Sequence, residues 1–155
     1  MADLWKTHGP SIVGLWKCIS FEILDVNDNN QILGYPMGSD PLARVQVSPS
    51  GYLSAHLATP KTASASKDAD TVPVAETVLT GYCGYLTMFK DAEGLGWKTK
   101  VDIGSDRHPV GGFEERRLRY WEEGGKDFME LRPAREFPLP DGKMGKGVLI
   151  WEKIE

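Results

Sequence analysis

Residues 42–58 read LARVQVSPSGYLSAHLA, and this stretch decides how the rest of the chain folds. Apolar and polar residues alternate along LARVQVS (42–48) and again along YLSAHLA (52–58), with Pro49-Ser-Gly51 between the two runs. Alternation of this kind is the pattern of a β-strand with one buried face. A short glycine-containing segment between two such runs is typical of a β-hairpin. The stretch therefore predicts two neighbouring antiparallel strands.

The rest of the chain repeats this design of short strands and short turns. Glycine (17 residues) and proline (10 residues) interrupt it at close intervals, and runs rich in β-branched and aromatic residues lie between them. Six further strands are predicted, at 12–24, 82–89, 96–103, 114–121, 127–132 and 147–154. Eight antiparallel strands can close a barrel whose interior holds one small ligand. We therefore expect an all-β fold with an eight-stranded antiparallel barrel and a central cavity; a two-sheet sandwich is the alternative.

Two kinds of segment depart from the strand pattern. A helix is predicted from Pro73, which suits a first helical turn, to a stop at Gly81, and a second short turn of helix precedes Pro10. Residues 60–72 are small, polar and aperiodic, and they predict a flexible loop near the mouth of the cavity. The barrel is thus expected to carry one or two short helices.

Length and composition limit the classes of function. A chain of 155 residues suits one domain, 1–155, with a short N-terminal segment at 1–10. It has no apolar run long enough to span a membrane or to act as a signal peptide, and its net charge of −4 does not favour nucleic-acid binding. Cys18, Cys83 and three scattered histidines form no metal motif. These features predict a cytoplasmic monomer or homodimer with no metal, no nucleic acid and no membrane as partner.

Four blocks of the sequence carry a further signal: IVGLWKCISFE (12–22), SPSGYLSAH (48–56), GYCGY (81–85) and VLIWEK (148–153). In this order, over about residues 11–154, they resemble the lipocalin-like domain family. The first contains Gly14-Leu-Trp16, which is similar to the G-x-W signature of lipocalins. The resemblance implies an eight-stranded calycin-type barrel in which Lys153 stacks on Trp16 at the floor. It also implies a link to fungal secondary-metabolite pathways, where barrels of this type have been proposed as cyclases or isomerases.

Strand 52–57 has two faces, either of which could line the cavity. One face is apolar, and the other carries Tyr52, Ser54 and His56. If the second face lines the cavity, His56 is the natural general acid–base, because an unperturbed imidazole titrates near neutrality. If the apolar face is inside, these three residues lie on the surface. On the next strand Tyr82 and Tyr85 point in opposite directions, and we expect Tyr85 to face inward.

Arg116 is predicted to be an inward-facing cation, because it shares a strand face with Leu118 and Tyr120. A buried guanidinium needs a carboxylate or an anionic ligand beside it, and Glu130 on the following strand is the predicted carboxylate. The predicted ligand-binding residues are Ser54, Tyr85, Trp97, Lys100, Tyr120, Glu130 and Trp151.

Together with these residues, the resemblance implies a cofactor-independent cyclase, isomerase or dehydratase that acts on a hydrophobic, oxygenated secondary metabolite, such as a polyketide or terpenoid. Catalysis would combine shape selection with proton transfer by His56, Tyr52 or Tyr85. Arg116 or Lys100 would stabilise developing charge. The alternative is a non-catalytic carrier that holds a small lipophilic ligand in the same cavity.

Overall fold

The computed structural model of the protein describes residues 3–28, 31–60, 77–139 and 141–155. In these ranges the chain forms a helix, α1 (Leu4–Ile12), and the strands β1 (Gly14–Asp25), β2 (Ile32–Gly34), β3 (Leu42–Val47), β4 (Tyr52–Pro60), β5 (Thr77–Asp91), β6 (Gly94–Lys100), β7 (Ile103–Gly104), β8 (Phe113–Glu123), β9 (Lys126–Pro133), β10 (Phe137–Pro138) and β11 (Met144–Lys153).

Eight of these strands form a closed antiparallel barrel. Their order around it is β1, β3, β4, β5, β6, β8, β9 and β11, and β11 pairs with β1 to complete the ring. Closure gives each of the eight strands a hydrogen-bonded neighbour on both sides. The short strands β2, β7 and β10 pair with β1, β5 and β11 respectively. The predicted all-β, eight-stranded barrel is confirmed, and the sandwich alternative is excluded.

The short helix α1 begins at a standard N-cap. The Asp3 carboxylate accepts a hydrogen bond from the backbone N–H of Lys6, which satisfies one of the free N–H groups of the first turn. The Trp5 ring lies directly over Gly9, where any added Cβ would collide with the indole. A helix of nine residues cannot cross a membrane, and no longer apolar helix occurs in the described part of the chain.

The helix covers one end of the barrel, and the two ends are therefore different. We call the covered end the floor; it is where β11 ends, and Lys153 Nζ there donates a hydrogen bond to the carbonyl of Ser11 in α1. We call the opposite end the mouth; β1 ends there at Asp25, and β8 begins there at Phe113.

The helix predicted from Pro73 to Gly81 is wrong from Thr77 onward. β5 begins at Thr77 and pairs with β4 in continuous register, from Pro60–Thr77 to Tyr52–Tyr85. Pairing with β4 satisfies the backbone groups of this segment, and such tertiary context overrides a weak helical spacing of apolar residues. The predicted flexible loop at 60–72 lies outside the described residues, apart from Pro60 at the end of β4.

The strand predicted at 96–103 is interrupted, and the interruption shapes the mouth. β6 ends at Lys100, and the following β7 pairs with β5. Here the backbone crosses closely over Gly84, where an added Cβ would collide with the carbonyl of Lys100. Beyond β7, the backbone N–H of Ser105 donates to the carbonyl of Gly81 in β5.

Candidate functional site

Alternating burial distinguishes the inner face of the barrel from its outer face. On β4, Leu53 and Ala55 are buried, whereas His56 is exposed. The buried inner face consists mainly of apolar side chains, among them Trp16, Cys18, Val45, Val47, Leu53, Ala55, Leu86, Trp97, Leu118, Met129, Leu131, Leu149 and Trp151. Of the two orientations left open for strand 52–57, the structure has the apolar face inside.

Tyr52, Ser54 and His56 therefore lie on the outer face of the barrel. The predicted catalytic roles of Tyr52 and His56, and the predicted ligand contact of Ser54, required these side chains to face inward, and that orientation is wrong. The physical reason is that burying the apolar face is favourable, while the phenol, hydroxyl and imidazole keep their contact with water.

Tyr85 also faces outward, and the prediction that it faces inward is wrong. Its side chain is 57% exposed, whereas that of Tyr82 is 7% exposed. Tyr52 is the register partner of Tyr85, and the two rings meet edge to face with centroids 4.8 Å apart. Tyr52 Oη donates a hydrogen bond to Cys83 Sγ over 3.3 Å. This bond, together with desolvation and the neighbouring charge of Asp102, raises the pKa of Tyr52 to about 12.

Two other predicted ligand residues also lie outside the barrel. Lys100 is exposed at the end of β6. Glu130 forms ion pairs with Arg132 at 3.2 Å and with Arg119 at 3.5 Å. Its position alternates with the buried residues of β9, so it faces away from the interior and is not the partner of Arg116.

Four polar side chains meet on the inner face near the mouth, and we call them the mouth cluster: Tyr82, His108, Glu114 and Arg116. His108 Nδ1 lies 2.7 Å from Glu114 Oε1. Arg116 Nη1 donates to Glu114 Oε2 over 3.3 Å. The rings of Tyr82 and His108 are in contact, with centroids 4.7 Å apart. One carboxylate thus joins an imidazole to a guanidinium, and a phenol lies against the imidazole.

The local fold positions each member of the mouth cluster. Alternation along β8 places Glu114 and Arg116 on the same, inward face. His108 is held by a tight turn in which its backbone N–H donates to the carbonyl of Ser105 over 2.7 Å. The turn packs closely on Gly104, where an added Cβ would collide with the carbonyl oxygen of His108. A side chain at position 104 would therefore displace the imidazole.

The cluster is shielded from water without being sealed. The side chains of His108, Glu114 and Arg116 are 16%, 19% and 18% exposed. Tyr82 is more deeply buried, and burial raises the pKa of its phenol; the positive charge of Arg116 opposes the rise, and the negative charge of Glu114 adds to it. Near neutral pH the phenol is therefore protonated and is a hydrogen-bond donor.

Three buried polar atoms on the inner face have no hydrogen-bond partner among the described residues: Trp97 Nε1, Thr99 Oγ1 and Trp151 Nε1. Trp97 and Thr99 are the register partners of Arg116 and Glu114 on the adjacent strand. Side chains directly opposite one another in an antiparallel pair have Cβ atoms about 5 Å apart. Two of the three atoms therefore belong to residues that adjoin the mouth cluster.

The polar groups that join α1 to the floor, by contrast, are paired. Lys153 Nζ lies 5.0 Å from the centre of the Trp16 ring, which confirms the predicted cation–π contact. Trp16 Nε1 donates to the carbonyl of Ile12 over 2.7 Å. Tyr120, a predicted ligand residue, has its hydroxyl 2.7 Å from His8 Nδ1 in α1. These contacts hold the helix on the barrel.

Of the predicted site residues, Trp97, Arg116, Tyr120 and Trp151 lie on the inner face. Sequence reasoning missed Tyr82, His108 and Glu114. Glu114 could have been found, because it shares its strand face with Arg116 and lies two residues away. His108 gave no such signal, since its place depends on the turn over Gly104.

A family described as a lipocalin-like domain has a sequence model that matches residues 13–154. None of the curated proteins matches the chain.

Proposed function

The chain belongs to the lipocalin-like domain family, and on that premise we propose that its barrel binds a small hydrophobic, oxygenated molecule and isomerises or cyclises it by proton transfer. The observation that carries the proposal is the mouth cluster, in which an imidazole is hydrogen-bonded to a carboxylate on a mainly apolar inner face. Ligand sites are typically apolar and contain a few convergent polar groups of this kind.

His108 is the proposed general acid–base. The Glu114 carboxylate lies at His108 Nδ1, and an imidazole that donates from Nδ1 to a carboxylate presents its other nitrogen, Nε2, as a base. In this arrangement Glu114 orients the ring and stabilises the imidazolium formed when His108 accepts a proton. The step needs a carbon acid or hydroxyl of the ligand within about 3 Å of Nε2.

Arg116 and Tyr82 are the proposed stabilisers of the enolate or alkoxide that proton abstraction leaves on the ligand. Arg116 donates to Glu114 and to the backbone carbonyl of Glu115 through Nη1, and a guanidinium has five N–H donors in all. The Tyr82 phenol is a neutral donor with a raised pKa. Donors fixed in a site of low polarity stabilise developing negative charge strongly.

A non-catalytic carrier is the second candidate function. It is favoured by the pairing of Glu114 with both His108 and Arg116, since that pairing also satisfies these side chains without any chemistry. The carrier and the enzyme share the barrel interior and differ in whether His108 exchanges protons with the ligand.

The experiment measures proton exchange instead of a complete reaction. 2-Tetralone, a hydrophobic ketone with acidic α-hydrogens, is incubated with the protein in D₂O, and α-deuteration is followed by NMR. We expect the protein to accelerate exchange above buffer, and His108→Gln to lower that acceleration by about 10²–10⁴-fold. The glutamine amide can still donate to Glu114, so the variant keeps the fold.

The matched control is His56→Gln, which makes the same chemical change on the outer face and is expected to leave the exchange rate unchanged. Equal loss of exchange in both variants contradicts the role of His108. Binding of 2-tetralone by the wild-type protein without accelerated exchange supports the carrier.

A further inference from the structure

We propose that the barrel carries a second binding site on its side, between β1 and the turn at 35–39, and that this site binds a small neutral aromatic molecule with one hydroxyl or carbonyl group. We call it the lateral pocket. Its volume is about 410 Å³, and it is lined by Ile19, Ser20, Phe21, Tyr35, Gly38 and Ser39. These residues are distinct from the mouth cluster, so the inference goes beyond the proposed function and does not depend on it.

An interruption of the barrel wall creates the lateral pocket. β1 pairs with β3 over residues 14–17 and with β2 at residues 23–24. Among the described residues, 18–22 have no strand partner on this side of β1. On the other side, a bulge shifts the register of β1 against β11 at residues 18–20, and a bulge bends a strand and re-aims its side chains. The sheet is therefore open here, and the turn at 35–39 forms the opposite wall of the pocket.

The wall formed by the turn at 35–39 is held in place by the protein itself. The backbone N–H of Gly38 donates to the carbonyl of Tyr35 over 3.0 Å. Gly38 has a φ of +69°, a conformation that glycine adopts without strain. Between these two residues, Met37 is 7% exposed and packs in the hydrophobic core of the barrel. Because Met37 anchors the turn, a ligand can bind with little further ordering of the chain.

The lining of the lateral pocket combines apolar surface with a few hydroxyl groups. Ile19 and Tyr35 are 38% and 54% exposed, and Phe21 is half-buried. Covering this apolar surface with a ligand ring is favourable. The hydroxyl groups of Ser20, Tyr35 and Ser39 have no hydrogen-bond partner among the described residues. A hydroxyl group both donates and accepts, so these three can bind one polar group of the ligand.

Charge and size indicate which occupant the lateral pocket takes. Its lining, as far as the chain is described, contains no charged side chain, so a charged ligand would lose hydration without gaining an ion pair. Six described residues line the pocket, whereas a specific protein interface takes roughly 20–30 residues on each side. A volume of about 410 Å³ lies within the range of about 300–1,000 Å³ that is typical of small-molecule sites. The occupant is therefore a small neutral molecule and not a second copy of this chain.

The experiment titrates the full chain, labelled at its isoleucine methyl groups, and follows the methyl signals by ¹³C-edited NMR. The probe is 2-naphthol, which is neutral and has one hydroxyl group. The matched compounds are naphthalene, which lacks the hydroxyl group, and 2-naphthalenesulfonate, which is charged. We expect 2-naphthol to shift the Ile19 signal and to bind several-fold more tightly than either matched compound. Ile103, which is 68% exposed on β7, should keep its signal in place.

Substitutions in the lining locate the bound probe. Ile19→Glu places a charge in the lateral pocket, and we expect it to weaken the binding of 2-naphthol about tenfold or more. Tyr35→Ala shortens the opposite wall and should weaken binding several-fold. The matched control is Ile32→Glu, which makes the same change at an isoleucine that is 43% exposed on β2 and lies outside the lining given above. We expect this control to leave the affinity unchanged.

Four results overturn the inference: no binding of 2-naphthol, equal losses of affinity in Ile19→Glu and Ile32→Glu, tighter binding of the sulfonate, or loss of binding in His108→Gln. The last result would place the probe at the mouth cluster. A dimer that Ile19→Glu dissociates in sedimentation velocity also overturns it, because the occupant would then be a second copy. Proton exchange with 2-tetralone tests only the proposed function, so the two proposals fail separately.

Discussion

Two histidines approach strand β8 from opposite ends of the barrel, and each has its Nδ1 2.7 Å from a β8 side chain. At the floor, His8 of α1 meets the hydroxyl of Tyr120. At the mouth, His108 meets the carboxylate of Glu114. The two contacts have the same length and involve the same imidazole nitrogen, yet their surroundings differ.

At the floor the polar groups that join α1 to the barrel have partners within the fold. Lys153 donates to the carbonyl of Ser11 and covers Trp16, whose indole donates to Ile12. At the mouth, by contrast, the buried donor of Trp97 adjoins the cluster without a partner. Complete pairing is typical of a structural contact, and the unpaired donor of Trp97 beside a charged pair is the feature in which the mouth differs from these contacts.

The largest expected effect in this comparison is the loss of stability when Trp16 is removed from the floor. Trp16→Ala removes a fully buried indole, its hydrogen bond to Ile12 and its contact with Lys153. We expect the free energy of unfolding to fall by about 3–5 kcal/mol, as for other buried aromatic-to-alanine changes. Urea unfolding followed by circular dichroism measures it. The control is Trp121→Ala, because Trp121 is half-buried and stacks on Phe128. We expect this variant to lose less unfolding free energy than Trp16→Ala. An equal loss of unfolding free energy contradicts the structural role of the floor.

The next largest expected effect is a difference in how much the two histidine contacts contribute to stability. Glu114→Gln leaves Arg116 without its carboxylate, and hydrogen bonds to charged groups contribute about 1.5–3 kcal/mol. Tyr120→Phe removes a bond between a neutral hydroxyl and His8, which is worth about 0.5–1.5 kcal/mol. We expect urea unfolding to show the larger loss of stability for Glu114→Gln. A larger loss for Tyr120→Phe would mean that the mouth cluster contributes little to the fold.

The smallest expected effect is the dependence of the unfolding free energy on pH that Tyr82 causes at the mouth. Burial raises the pKa of Tyr82 in the folded state, so the unfolded phenol releases its proton at a lower pH. Above a pH of about 10 the unfolded state then binds fewer protons than the folded state, and stability falls as pH rises. Unfolding free energies measured between about pH 9 and pH 11 should therefore fall more steeply for the wild-type protein than for Tyr82→Phe. Parallel curves for the two proteins contradict the burial of this phenol.

The sequence contained enough information for the barrel and for part of its interior. The alternation of 42–58 predicted β3, β4 and the turn between them, because period-two burial depends only on neighbouring residues. The contact between Trp16 and Lys153 followed from the family resemblance of the first and last blocks. Alternation along β8 also indicated which way Arg116 faces.

Alternation by itself does not say which of two faces is inside, and this choice produced the main errors. Tyr52 pairs with Tyr85 and Ala55 pairs with Tyr82, so the orientation of β4 decides that of β5. Placing the polar face of one strand inside therefore reverses the other as well. For the same reason His56, the predicted general acid–base, lies outside the barrel.

The sequence by itself determined the eight barrel strands, apart from the start of β5 and the end of β6, and the two sets of side chains on each strand, because these depend on local spacing. Only the tertiary structure decided which set faces inward, since closure of the barrel buries the more apolar set. It also decided the mouth cluster, because the turn that packs on Gly104 brings His108 to Glu114. That the indole N–H groups of Trp97 and Trp151 have no acceptor among the described residues can likewise be recognised only from the positions of the neighbouring atoms.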